Sequence, residues 1–153
     1  MTRPHENSND WPVATYSARR ELLAPREDVW AFLSEPTRLS DWWPGLRGVH
    51  PDRRGFAPGA RWQTQGEGKT NPLVGPQADV TGTLVFLDVE PPELARWQFV
   101  NANIDVELRL SESGPDRTSA VLTIDVPFFS GLRRLPAKAL SRLYALCQTG
   151  API

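Results

Sequence analysis

Apolar and polar residues alternate most regularly in the second half of the chain. Ile104, Val106, Leu108 and Leu110 alternate with Asp105, Glu107, Arg109 and Ser111; Ala120, Leu122, Ile124 and Val126 alternate with Val121, Thr123 and Asp125. A period of two places each set on one face of a strand. Ser113-Gly114-Pro115-Asp116 supplies the turn between them, and a connection this short joins antiparallel strands. Upstream, the pattern predicts strands over Val80 to Val89, ended by Glu90-Pro91-Pro92, and over Leu94 to Val100, with Trp97 and Phe99 on one face. Two shorter strands are expected over Arg47 to Pro51 and Arg61 to Gln65, around a turn at Pro58-Gly59. Val13 to Leu23, with Thr15 and Tyr16, predicts the first strand.

Helical spacing occurs in two places. After Ala24-Pro25, the residues Val29, Trp30, Phe32 and Leu33 form an apolar stripe; Glu27 and Asp28 suit the positive end of a helix dipole, and Pro25 suits its first turn. Pro36 disfavours a helical Glu35, so this helix stops there. A second short helix follows over about Thr37 to Trp42 and ends at Trp43-Pro44-Gly45. The last segment, about Phe128 to Gln148, places Leu132, Leu135, Ala139, Leu140, Leu143, Leu146 and Cys147 at helical spacing. Pro136 either kinks this helix or marks its true start, and Gly150 suits its stop. Gly66 to Gln77, with three Gly and two Pro, is expected to be a long loop. The order is strand, two short helices, about six antiparallel strands and a long terminal helix. It predicts an α+β fold with helices on one face of a curved antiparallel sheet. Residues 12–150 are expected to form one domain after a polar, disordered tail over 1–11.

Composition narrows the function classes. A chain of 153 residues can bury a full core. One Cys excludes an internal disulfide and a Cys-based zinc cage, and two His, at 5 and 50, do not form a metal cluster. A net charge of −1 argues against general nucleic-acid binding. No apolar run reaches the roughly 20 residues of a membrane span, so stable membrane insertion is not expected. The polar start lacks the apolar core of a signal peptide, and the expected location is the cytoplasm. Charge is unevenly distributed: no acidic residue follows Pro127, whereas Arg133, Arg134, Lys138 and Arg142 do. These cations could be a solvated face favoured near a helix C-terminus, a complement to the acidic strands, or a contact for an anionic lipid surface.

Residues 22–44, LLAPREDVWAFLSEPTRLSDWWP, resemble the opening of the START-like or helix-grip superfamily (SRPBCC type). That group includes polyketide cyclase/dehydratase-like proteins, lipid-transfer proteins and the pollen-allergen fold. The features carrying the resemblance are Ala24-Pro25 after the first strand, Val29-Trp30 in the first helix and Trp42-Trp43-Pro44 closing the second. It implies a six- to seven-stranded curved antiparallel sheet wrapped around the terminal helix, with two short helices after strand one. Between sheet and helix it implies a cavity for an apolar ligand.

Under that resemblance the walls of the cavity are expected to be Trp30, Leu33, Trp42, Trp62, Phe86, Trp97, Phe99, Val106, Leu108, Leu122, Ile124, Phe128, Leu132 and Leu140. Rigid rings make good walls for flat or hydrophobic ligands, although the same rings can simply pack on one another. Adjacent helical residues do not share a face, so Trp42 is expected inside and Trp43 near the surface. The terminal helix and the 66–77 loop would gate access. Sequence motifs for a serine nucleophile, a nucleotide loop or a zinc protease are absent, and Gly66-Glu67-Gly68-Lys69-Thr70 lacks the first Gly of a phosphate loop. Cys147 reads as an inert core thiol. No cofactor or metal is expected. Three functions follow, in order: binding of a small hydrophobic molecule (a lipid, polyketide or aromatic compound), a polyketide cyclase or dehydratase, and a protein-interaction module resembling the Hsp90 ATPase activator domain. A cyclase would need at least two ionisable or hydroxyl groups in the cavity, for which Tyr16, His50, Arg61 and Arg109 are the candidates, with His50 and Arg109 expected on the wet side.

Overall fold

The structure is a computed structural model and describes residues 12–67, 70–71, 75–76 and 78–149. The expected tail over 1–11, the stop at Gly150 and much of the 66–77 loop lie outside these residues. Strand β1 (Val13–Leu22) leads into helix α1 (Arg26–Leu33), a 3-10 turn (Pro36–Arg38) and the single-turn helix α2 (Leu39–Trp42). Strands β2 (Leu46–His50) and β3 (Arg61–Gly66) follow, then the two-residue strands β4 (Thr70–Asn71) and β5 (Gly75–Pro76). Strands β6 (Gly82–Glu90), β7 (Leu94–Phe99), β8 (Ile104–Gly114) and β9 (Arg117–Pro127) precede helix α3 (Leu135–Thr149).

Seven strands form one curled antiparallel sheet in the order β1-β9-β8-β7-β6-β3-β2. The alternating residues of β8 and β9 pair in register, Val106 with Ile124 and Leu108 with Leu122, and all four are buried. The same face continues through β7, where Trp97 pairs with Val106, and β6, where Phe86 pairs with Trp97. The fold is therefore the expected α+β helix-grip arrangement, with seven strands. Within the expected loop, β4 and β5 form their own small ladder.

Helix α3 packs across β1 and β9 and against α2. Its buried stripe is Leu135, Ala139, Leu140, Leu143 and Cys147. The helix starts at Leu135, not at Phe128. Pro136 falls in the first turn, where its missing N–H and fixed φ cost nothing, and it therefore sets the boundary. The stretch 128–134 turns outside the helix, leaving Phe128 52% and Phe129 89% exposed. The later start also moves the cations. Arg133 and Arg134 precede the helix, Lys138 lies one turn in, and the last turn carries no basic residue. A favourable charge–dipole contact at the helix C-terminus thus does not account for them.

Candidate functional site

Two spaces stand out, one under the buried face of the sheet and one along α3. The first is an aromatic interior. Its lining is Leu33 of α1, Leu39 and Trp42 of α2, Phe56, Trp62 of β3, Phe86 of β6, Ala95 and Trp97 of β7, and Leu108 of β8. The rings meet edge-on or tilted: Trp62–Phe86 at 4.6 Å, Phe56–Phe86 at 5.0 Å, Phe86–Trp97 at 5.9 Å and Trp42–Trp97 at 6.4 Å between centroids. Each such pair contributes about 0.5–1.5 kcal/mol beyond burial. The room left is about 10 Å³, no more than one water needs.

Phe56 reaches this cluster from the 51–60 turn, which is held by Asp52. One Asp52 carboxylate oxygen accepts the Arg54 N–H at 3.0 Å and the other the Arg61 N–H at 2.9 Å. The Arg61 N–H is the main cause holding the Asp52 carboxyl below its ordinary range, with the Arg54 N–H and guanidinium adding to it. The same turn presents the Gly55 carbonyl to the Trp62 indole N–H at 2.8 Å.

The second space is a groove of about 680 Å³ along α3. Its described lining is Trp43, Pro44 and Ala78 on one side and Gly131, Leu132, Arg134, Leu135, Ala137, Lys138, Ser141 and Arg142 on the other. Trp43 separates the two spaces. It lines the groove, while its ring packs on Trp42, Trp97 and Phe99 at 5.7, 5.9 and 5.2 Å. It is 0% exposed, as closed off as Trp42 at 1%, so the expectation of a surface Trp43 is corrected. The one-face-per-residue argument holds only inside a helix. Helix α2 ends at Trp42, and the extended backbone of Trp43 (φ −86°, ψ 118°) turns its ring inward too. The indole N–H groups of Trp43 and Trp97 are buried without a hydrogen-bond partner. Such a donor costs about 1–3 kcal/mol unless something accepts from it.

Of the expected wall residues, Leu33, Trp42, Trp62, Phe86, Trp97 and Leu108 line the interior, and Leu132 lines the groove. Trp30, Phe99, Val106, Leu122, Ile124 and Leu140 are buried in the core around them and line neither space. Phe128 faces solvent, because the turn before α3 carries it away from the sheet. Leu39, Phe56, Ala95 and Trp43 are lining residues that the sequence pattern did not single out. None of Tyr16, His50, Arg61 and Arg109 lines either space. As expected, His50 is exposed, and so is Arg109, which donates to Glu107 at 2.9 Å on the wet face. Cys147 is buried, and burial pushes its thiol up to about 11, so it is no nucleophile at neutral pH. Among the described residues no group of His, Cys, Asp and Glu could hold a metal ion, and no helix is long and apolar enough to cross a membrane.

Solved structures with this fold are numerous. A conserved protein of unknown function from Enterococcus faecalis matches with a TM-score of 0.63 at 18% identity, over 92% of this chain and 75% of its own. CalU16 from Micromonospora echinospora matches with a TM-score of 0.59 at 23% identity, over 89% and 85%. XoxI from Bacillus cereus matches with a TM-score of 0.62 at 13% identity, over 88% and 96%. At these identities the likeness concerns the fold. No curated protein matches the chain. The family model described as polyketide cyclase / dehydrase and lipid transport matches residues 13–146, from β1 into α3, and so covers both spaces. The chain belongs to that polyketide cyclase / dehydrase and lipid transport family, built on a ligand-binding fold.

Proposed function

We propose that the protein binds one small hydrophobic molecule between α3 and the α2–β2 corner, with the groove as its seat. The observation carrying this reading is the contrast in free space. The aromatic interior leaves about 10 Å³ and the groove about 680 Å³, within the roughly 300–1,000 Å³ of small-molecule sites. Trp43, Pro44, Ala78, Leu132 and Leu135 offer the apolar contact. Affinity would come from apolar burial at about 25 cal/mol per Å². The interior rings serve as a rigid backing that fixes the orientation of Trp43.

Two observations favour binding over the other readings. The described interior lining supplies no ionisable or hydroxyl group, and those of the groove (Arg134, Lys138, Ser141 and Arg142) include no carboxylate or imidazole to act as a general base, so they suit holding a ligand better than moving its protons. A pure interaction module accounts for the filled interior but not for an open groove floored by a buried indole. Native mass spectrometry of freshly purified protein, followed by solvent extraction, tests the reading. One apolar molecule per chain supports it. An empty protein whose Trp fluorescence responds to no fatty acid, sterol or polyaromatic compound contradicts it.

A further inference from the structure

The lining of the groove has one property that a purely apolar ligand leaves unexplained. Arg134, Lys138 and Arg142 are spaced by four, so they stack along one side of α3, and all three line the groove. Like charges at this spacing repel. Arg134 also precedes the first helical residue, at the positive end of the dipole, where cations are disfavoured. No carboxylate relieves them: none of the three has an ion pair among the described residues, and the first turn of α3 holds no acidic residue. Asp79, beside the lining Ala78, turns an oxygen to the Thr81 N–H at 3.1 Å. The described lining of the groove holds no acidic side chain, and Pro44, Leu132 and Leu135 set an apolar surface beside the cations. Three cations with no ion pair among the described residues, along one apolar trough, call for a ligand group bearing negative charge.

We propose that the groove takes an apolar molecule with an anionic head group, a carboxylate or a phosphate. Arg134, Lys138 and Arg142 are its counter-charges. This rests on the groove being the binding seat and adds the class of ligand. The apolar tail lies against Pro44, Leu132 and Leu135, and the head stays at the cationic wall, where it keeps part of its hydration. Two or three charge-assisted contacts at a half-open site favour the anion over a neutral analogue by about tenfold or more.

The test is equilibrium binding, read by intrinsic Trp fluorescence. The probes are decanoate, decyl phosphate and decan-1-ol, each below its aggregation concentration. The proposal expects at least one of the two anions to bind about tenfold or more tightly than the alcohol, with the preference falling as salt rises. In an Arg134→Gln/Lys138→Gln/Arg142→Gln variant the preference of anion over alcohol should shrink to within about threefold. All three side chains are exposed, so this variant keeps the core, and an unchanged melting curve verifies that. Equal binding of anions and alcohol by the wild type overturns the head-group inference and leaves the groove reading standing. A preference that survives in the variant overturns the assignment to these residues. No binding of any probe overturns both. Co-sedimentation with anionic phospholipid vesicles, lost in the variant and unaccompanied by soluble binding, assigns the cations to a membrane surface and overturns the proposal.

Discussion

The aromatic interior and the groove share Trp43 and differ in almost everything else. In the interior, rings meet edge-on against the sheet and little space remains, so the region acts as core. Along the groove, about 680 Å³ stays open beside Pro44, Leu132 and Leu135, bordered by cations with no ion pair among the described residues. The comparison teaches that abundant aromatic residues do not by themselves mark a cavity. Rings that find complementary partners close on each other, and the binding space opens where an element turns away from them. Here that element is α3, whose inner stripe seals the sheet while another stripe carries the charges.

The comparison breaks most easily at the interior. Trp97→Ala removes the ring touching Trp42, Trp43 and Phe86, and should cost about 3–5 kcal/mol of unfolding free energy in denaturant titrations. Arg142→Gln, on the groove, should stay within about 0.5 kcal/mol of wild type in the same experiment. Comparable losses at both sites would erase the distinction between core and site.

A smaller effect is expected where the sheet backbone frames the interior. Gly82 opens β6 with φ +138°, and a Cβ there would run into the Asn101 side-chain oxygen, which itself accepts the Thr83 N–H at 2.9 Å. Gly82→Ala should therefore destabilise by about 1–3 kcal/mol, read as a lowered Tm, without changing groove chemistry.

Much of this layout was legible in the sequence. The alternation in β8 and β9 predicted their faces because a period of two leaves no other arrangement with one buried side. Pro25, Glu27 and Asp28 marked the start of α1 for reasons local to a helix terminus. The misses lie where local periodicity stops carrying information. Trp43 follows the last helical residue, so its direction depends on the extended backbone that begins there. Phe56 sits in a turn shaped by Asp52 and has no apolar neighbour at regular spacing to betray it. Phe128 fits a helical pattern that Pro136 delays to Leu135. The groove itself is a tertiary feature. Trp43, Ala78 and Lys138 are distant in sequence, and only the path of α3 over the sheet brings them together.

The smallest effect concerns the sealed side of α3. Burial raises the Cys147 thiol from 9.0 to about 11 in the folded protein. Its contribution to stability is therefore complete below about pH 9 and is lost as pH rises toward 11, because the unfolded chain releases that proton first. The difference in unfolding free energy between wild type and Cys147→Ala should shrink over this window. The native thiol should also resist iodoacetamide at pH 8. Rapid alkylation there would mean that this face of α3 opens to solvent.

The most direct test of the central claim follows the six indole N–H signals by 1H–15N NMR while decanoate is added. The account predicts that the Trp43 signal moves as the ligand fills the groove that Trp43 lines, while that of Trp62, in the interior and bonded to the Gly55 carbonyl, stays in place. Movement of Trp62 with Trp43 unchanged would place the ligand in the aromatic interior and contradict the account.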